Sequence, residues 1–432
     1  MSRIAAAAGL AALVLSATSA FAQAPPKIAP RAKVEALAKA IDSQFFDEAR
    51  AHRIAAELRA EAKRGAYDKL SDPRDFAATL TQRLQPQDRH FAVSWTPPAG
   101  DASPRSAGSG LPSFLARRGG YGFAAVRILP GNIGYIDMRG FAHFEPTGDQ
   151  APREAADAAL ALVAGTDAVI FDLRDNGGGS PAMVGYLVGH FTPDGAKIYN
   201  TFKTRGEPDS DEAPTVPIKA ERRLAVPLYV LTSGRTASAA ESFAYTLQSA
   251  KRATVVGEAS GGGANPGGPA ELGDGLSVFI SGGTPINPIT GKNWEGTGVV
   301  PDVAVPVGEA LAKAQQLALA KLASADLGEP ALTENRWALD ALGAHPKIRR
   351  ERLAAYAGKY GPFQAAMDGE RLTLRSGRRP PSLLSPLDEA GLFFVEGAPS
   401  RRIRFESGAL IFLSPDGSET RQMRNGAAAA GR

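Results

Sequence analysis

A serine at position 238 follows an apolar run, residues 226–231, and lies at the start of an alanine-rich segment, ASAAESF. The pattern predicts a strand, a tight turn and a helix that begins at the serine. A hydroxyl there lies at the positive end of the helix dipole, and the N–H of Ala239 is available to a developing oxyanion. Ser238 and Glu241 also have the spacing of a capping box, in which the serine only caps the helix. This stretch alone favours the cap over a nucleophile.

Two further stretches could contribute to the same chemistry. FDLRDNGGGS, residues 171–180, leads from a buried strand into three consecutive glycines. Glycines let the backbone approach a ligand and turn N–H groups toward it, although such a run is also typical of a flexible turn. GKNWEGTGVVPDV, residues 291–303, places Glu295 in a glycine-rich loop before another strand. On its own, Glu295 is interpreted as an ordinary exposed loop carboxylate.

These stretches follow predicted strands in a region where strands and helices alternate, which indicates an α/β fold. Such a core usually places its site at the carboxyl ends of the strands. Apolar residues at three- and four-residue spacing predict helices before the core, and short segments between turns predict strands after it. The predicted organisation is a signal peptide (1–22), a linker (23–31), an N-terminal helical region (32–95), an α/β core (113–325) and a small C-terminal β-domain (346–425).

The first 22 residues have the pattern of a secretory signal peptide. Arg3 precedes a short apolar run, residues 4–15, and Ala20-Phe21-Ala22 offers small residues for cleavage before Gln23. The run is shorter than the about 20 residues that span a bilayer, and no other stretch is long and apolar enough. We therefore expect a mature protein without a membrane span, located in the periplasm or secreted.

Composition excludes several kinds of chemistry. The 432 residues contain no cysteine, which excludes thiol catalysis and disulfides. A net charge of +4 without blocks of like charge gives no sign of nucleic-acid binding. The five histidines lack metal-ligand spacing such as HExxH. We predict neither a metal nor a cofactor.

Taken together, the stretches resemble the tail-specific, or C-terminal processing, peptidases, whose relatives include tricorn protease and the interphotoreceptor retinoid-binding protein. The resemblance extends over roughly residues 35–310 and rests on four motifs in order: DLRDNGGG (172–179), LTSGRTASAAE (231–241), RATVVGEASGGG (252–263) and EGTGVVPD (295–302). It implies a crotonase-like spiral core and a serine peptidase acting on peptides or proteins. Ser238 would be the nucleophile, and the N–H groups of Ala239 and of Gly178 or Gly177 would form the oxyanion hole.

The base is where the chain departs from the processing peptidases. Their lysine falls at Gly263, and residues 95–122 are too short for their peptide-binding PDZ module. The tricorn-like and retinoid-binding-like branch implies a histidine instead, in the context found in QDRHFAVSW, which is His90. His143, in RGFAHFEP, is the competing candidate. Glu295 would orient the imidazole and stabilise its cation.

Two other functions compete with a peptidase. The retinoid-binding relatives suggest a catalytically silent protein that binds apolar ligands or peptides, although such a binder has no need of Ser238, His90 and Glu295. A cell-wall acyl-transferase of the penicillin-binding type requires Ser-x-x-Lys, but position 241 is a glutamate.

Overall fold

The structure is a computed structural model that describes residues 27–97, 113–343 and 345–425. The predicted signal peptide with its cleavage site, and the first part of the predicted linker, lie outside the described residues. The chain forms two compact units. Of the described residues, 27–43, 49–97 and 269–279 belong to the first unit, and the remainder belongs to the second.

Helices and strands alternate through the middle of the chain, and strands dominate its end. The helices are α1 (Pro30–Gln44), α2 (Glu48–Lys63), α3 (Pro73–Leu84), α4 (Ser113–Arg118), α5 (Ala151–Leu162), α6 (Pro181–Gly189), α7 (Ala239–Ser249), α8 (Ala310–Leu322), α9 (Ala331–Ala341) and α10 (Arg350–Ala355). The strands are β1 (Ala92–Trp95), β2 (Phe123–Leu129), β3 (Ile133–Met138), β4 (Ala168–Asp172), β5 (Thr201–Thr204), β6 (Ser210–Asp211), β7 (Leu228–Thr232), β8 (Thr254–Gly257), β9 (Gly267–Gly273), β10 (Leu276–Ser281), β11 (Gly283–Ile286), β12 (Val303–Ala304), β13 (Gly358–Tyr360), β14 (Phe363–Asp368), β15 (Arg371–Ser376), β16 (Ser382–Pro386), β17 (Leu392–Val395), β18 (Ala398–Glu406), β19 (Ala409–Leu413) and β20 (Glu419–Met423). Within the described ranges, no helix combines the length and apolar character that crossing a bilayer requires.

The first unit contains α1, α2 and α3 and an antiparallel sheet in the order β1-β10-β9. The apolar residues whose spacing predicts these helices are buried, such as Leu37 in α1, Leu58 in α2 and Leu80 in α3. Asp72 caps α3, because its carboxylate accepts the N–H of Arg74 at 2.8 Å. The helices expected before the core are therefore present.

A six-stranded sheet in the order β12-β8-β7-β4-β3-β2 forms the centre of the second unit. Its strands run parallel, apart from the antiparallel pair β2–β3. β4 and β7 are buried throughout, because α6 and α7 cover one face of the sheet and α8 covers the other. This confirms the predicted α/β class. Asp172 of β4 lies opposite Leu231 of β7, so both strands end at one edge, where the glycine segment and Ser238 follow.

The C-terminal strands β13–β20 form an antiparallel meander in which each strand pairs with the next. A bridge between Tyr360 and Arg424 joins its two ends, so the sheet closes into a barrel-like form filled by apolar side chains such as Phe393. This matches the predicted C-terminal strands, with one correction. The segment ERLAA, residues 351–355, falls within the predicted β-domain but lies in the helix α10, which buries Leu353 under the sheet.

Candidate active site

Ser238 connects the buried strand β7 to the helix α7 through a strained turn. Its backbone has φ +55° and ψ −121°, a combination that residues with a side chain avoid. An ordinary capping serine has an extended backbone and carries no such strain. A sharp, strained strand-to-helix turn is instead how α/β enzymes expose a nucleophilic serine at the sheet edge. The predicted strand, turn and helix are present, and the turn is not that of a simple cap.

Glu241 holds this turn from the protein interior. Its Oε2 accepts the N–H of Ser238 at 2.7 Å and the N–H of Gly263 at 3.0 Å. Its Oε1 accepts the hydroxyl of Ser260 and the N–H of Gly262, both at 2.6 Å. The residues of the predicted capping box are therefore in contact, but the carboxylate also joins the serine turn to the following glycine-rich loop.

The absence of a lysine at position 263 has a direct consequence in this geometry. Gly263 and Ser238 donate to the same carboxylate oxygen, so position 263 lies beside the serine turn. A glycine offers no basic side chain there.

Gly178 packs directly against Ser238. It has φ +107°, and a Cβ built on it would lie 2.7 Å from the Cβ of Ser238 and 2.8 Å from the carbonyl oxygen of Ala237. The glycine segment therefore approaches the serine, as expected. The N–H of Gly178, however, donates to Asn176 Oδ1 at 2.8 Å, because the asparagine side chain folds back over its own turn and is held by the carbonyl of Met138 at 2.9 Å. The N–H of Gly178, one of the predicted oxyanion donors, therefore already has an acceptor in this structure.

Two other N–H groups are available near the serine. Ala239 is the first residue of α7, so its N–H has no acceptor within the helix. Within the part of the chain that the structure describes, the N–H groups of Ala239 and Gly177 have no hydrogen-bond acceptor. Of the three predicted oxyanion donors, these are the two whose N–H groups are not already used.

Glu295 is anchored in its loop by backbone groups. The residue is half-buried, and its Oε2 accepts the N–H groups of Ala264 at 2.8 Å and Asn265 at 3.1 Å. Its own N–H donates to Asn293 Oδ1 at 2.9 Å. The carboxylate is therefore fixed next to the loop that carries Gly263, which does not match a freely exposed side chain.

His90 belongs to the first unit, between α3 and β1. The backbone N–H of His90 donates to Asp88 Oδ1 at 2.8 Å, and the ring Nδ1 lies 3.0 Å from the same oxygen. Because an ionised carboxylate only accepts hydrogen bonds, Nδ1 carries the proton and Nε2 is the basic nitrogen. Asp88 had no predicted role, and the signal that could have identified it is a carboxylate two residues before the histidine.

His143 belongs to the second unit and has partners close to it in sequence and fold. Its Nε2 lies 2.6 Å from Glu145 Oε1, and its Nδ1 lies 3.0 Å from Ser180 Oγ. The side chain is 59% exposed. Both ring nitrogens of His143 therefore already have hydrogen-bond partners.

The chain is a serine-type peptidase. Residues 132–305 match the model of peptidase family S41. The matched segment contains Gly177, Ser238 and Glu295, whereas His90 precedes it.

Several solved structures are similar to this chain. A protein of Parabacteroides merdae ATCC 43184, described as a candidate peptidase, is 21% identical with a TM-score of 0.46, over 66% of this chain and 93% of that one. A lipoprotein from Streptococcus agalactiae is 14% identical with a TM-score of 0.46, over 69% and 98%. A photosystem II D1 C-terminal processing protease is 16% identical with a TM-score of 0.40, over 65% and 94%. Because these TM-scores lie below 0.5, the similarity to family S41 rests on residues 132–305 alone.

Proposed function

We propose that Ser238 is the nucleophile with which this peptidase cleaves peptides or proteins. The observation that carries the proposal is the backbone of Ser238, at φ +55° and ψ −121°. Strain of this kind costs about 1–3 kcal/mol and persists where the surrounding structure enforces it. Glu241 and Gly178 enforce it here through the contacts described above, and a serine that only capped the helix would not need it.

The geometry supports an acyl-enzyme mechanism. Ser238 Oγ attacks the scissile carbonyl carbon, and the hydroxyl proton passes to the base. The carbonyl oxygen becomes an oxyanion that accepts hydrogen bonds from the N–H groups of Ala239 and Gly177. The amine then leaves with the proton from the base, and water hydrolyses the acyl-enzyme in the same way. One such donor typically contributes about 10²–10³-fold to kcat, and the start of α7 adds the positive end of its dipole.

We assign the base to His90. Its sequence context supports this choice, and its contact with Asp88 leaves Nε2 as the nitrogen that takes up a proton. A histidine is well suited to accept and return a proton near neutral pH. We assign to Glu295 the role of a second carboxylate that stabilises the imidazolium, and the backbone contacts that fix its carboxylate support this role.

We also propose that the protein acts outside the cytoplasm, in the periplasm or after secretion. The pattern of residues 1–22 supports this proposal. Mass spectrometry of the protein recovered from the periplasm or the medium should find an N-terminus at or near Gln23. An intact Met1 on exported protein would contradict cleavage.

Ser238→Ala tests the nucleophile, with Ser249→Ala at the other end of α7 as the matched control. We expect Ser238→Ala to lower kcat on a protein or peptide substrate by on the order of 10⁴-fold or more, and Ser249→Ala to keep it. Urea unfolding should show that each variant stays within about 1 kcal/mol of the wild type. Turnover by Ser238→Ala near the wild-type value would return Ser238 to the role of a cap. A wild-type protein without turnover or fluorophosphonate labelling would favour the silent binding protein.

A further inference from the structure

Glu212 is a carboxyl group enclosed in the second unit, directly after the short strand β6. The residue is 3% exposed. Its Oε2 lies 2.5 Å from the hydroxyl of Ser242 and 3.1 Å from Asn200 Nδ2. Within the described ranges of the chain, its other oxygen, Oε1, is buried without a hydrogen-bond partner. A carboxylate enclosed in this way lacks the donors that its charge requires.

Asn200 lies at the centre of a buried polar cluster around Glu212. Its Nδ2 is 2.8 Å from Ser242 Oγ and 3.0 Å from Thr246 Oγ1, and its Oδ1 accepts from Asn287 Nδ2 at 3.0 Å. Ser242 and Thr246 are one turn apart on the same face of α7. The cluster therefore joins the segment around Glu212 to the helix that begins at the proposed nucleophile.

Ser242 connects this cluster to Ser238 through a single residue. Its N–H donates to the carbonyl oxygen of Ser238 at 2.9 Å and closes the first turn of α7, while its hydroxyl contacts Glu212. A movement of Ser242 caused by a change at the Glu212 carboxyl group can therefore displace the Ser238 backbone and the neighbouring N–H of Ala239.

The surroundings of Glu212 favour its neutral form. Burial raises the pKa of Glu212 to about 8, and the hydrogen bonds from Ser242 and Asn200 offset only part of this effect. Titratable side chains on the elements around the cluster have partners elsewhere: Asp211 with Thr201, Tyr199 with Thr192, Tyr186 with Asp157, His190 against the ring of Tyr186, and Glu241 with the serine turn. The groups in contact with the Glu212 carboxyl group are thus a hydroxyl and an amide.

We propose that Glu212 is a positioning residue that holds α7, and with it Ser238, in the active geometry while its carboxyl group is protonated. The inference rests on the proposed role of Ser238. On ionisation the charge at Oε1 must reach water or a donor, so the cluster opens and Ser242 moves with the first turn of α7. Peptidase activity is therefore lost as the pH rises through the ionisation of Glu212.

Glu212→Gln tests this inference, because the amide keeps the shape and cannot ionise. The readout is the initial rate of labelling by a fluorophosphonate probe between pH 7 and 9.5. Above the pKa of Glu212, a single ionisation lowers the labelling rate about tenfold per pH unit. The labelling rate of the wild type should therefore be about tenfold lower at pH 9 than at pH 7. Glu212→Gln should keep a constant rate. A fall in Glu212→Gln that matches the wild type would overturn the proposal.

Two further variants make the test specific. Asp211→Asn removes the charge of the neighbouring exposed carboxylate. Its labelling rate should fall with rising pH as that of the wild type does. Ser242→Ala removes a hydrogen bond that lowers the pKa of Glu212. The labelling rate of this variant should therefore fall at a higher pH than that of the wild type. Should circular dichroism show that Glu212→Gln does not fold, Ser242→Ala decides, and an unshifted fall overturns the proposal.

Urea unfolding separates a failure of this inference from a failure of the proposed nucleophile. Glu212 is ionised in the unfolded chain above its ordinary pKa but stays protonated in the folded one. The contribution of the protonated Glu212 to the free energy of unfolding is therefore complete below the ordinary pKa of a glutamate. It decreases as the pH rises and is lost above about pH 8, whereas Glu212→Gln shows no such change. Labelling that persists in Ser238→Ala refutes the nucleophile without removing this difference. An identical pH dependence of unfolding in both proteins refutes the ionisation of Glu212.

Discussion

Gly178→Ala places a methyl group where the nucleophile already lies. The new Cβ would be 2.7 Å from Ser238 Cβ, 2.8 Å from the Ala237 oxygen and 3.1 Å from the Ala239 nitrogen, whereas ordinary contact begins at 3.4 Å. Two of these three atoms are backbone atoms of the serine turn, so a side-chain rotation cannot relieve the contact. The serine turn or the glycine segment must move, by roughly 0.7 Å at Ser238 Cβ.

The size of the effect follows from two contributions. An alanine at φ +107° carries strain of about 1–3 kcal/mol, and a crowded methyl group adds about 1–3 kcal/mol. We therefore expect the free energy of unfolding to fall by about 2–6 kcal/mol. A displacement of the attacking oxygen that approaches 1 Å should lower kcat by on the order of 10²-fold.

Gly234→Ala is the matched control, because Gly234 lies in the same serine-carrying loop. A Cβ on Gly234 has no neighbour within 4 Å, and its φ is not positive. Urea unfolding and turnover of a peptide substrate should show little change for Gly234→Ala. For Gly178→Ala they should show a lower free energy of unfolding and a lower kcat. Wild-type kcat and stability in Gly178→Ala would refute the close approach of the glycine segment to Ser238.

Four further substitutions test the other parts of the site. His90→Ala should lose turnover about as severely as Ser238→Ala, whereas His143→Ala should keep most of it, because its ring nitrogens already have other partners; the opposite result would assign the base to His143. Glu295→Gln should lower kcat less than His90→Ala, because it weakens the stabilisation of the imidazolium without removing the base. Glu241→Gln replaces an oxygen that accepts buried hydrogen bonds by a nitrogen that only donates, so urea unfolding should show a loss of about 2–4 kcal/mol. Unchanged stability would contradict the anchoring role of Glu241.

The local structure around Ser238 was predictable because its signals are local. An apolar run, a tight turn and an alanine-rich segment define β7 and α7 without help from the rest of the chain. The same spacing suggested a capping box with Glu241, which is present. The strained backbone of Ser238 was not predictable, since Gly178 and the loop that shares the Glu241 carboxylate come from other parts of the chain.

The remaining differences arise from contacts that residue patterns do not record. Asn176 occupies the N–H of Gly178, although an asparagine two residues before a glycine is a signal for such a turn. The helix α10 is too short for its period to distinguish it from a strand. Glu212 lies in a polar stretch typical of a loop, and its burial depends on contacts with distant residues such as Ser242 of α7.

The most direct test of the central claim, that Ser238 is the nucleophile, is the site of covalent labelling. The purified wild-type protein is incubated with a fluorophosphonate, digested and analysed by tandem mass spectrometry. We predict a single adduct on the hydroxyl of Ser238 that is absent from Ser238→Ala and present in Ser249→Ala. An adduct on any other residue, or labelling that persists in Ser238→Ala, would contradict the account.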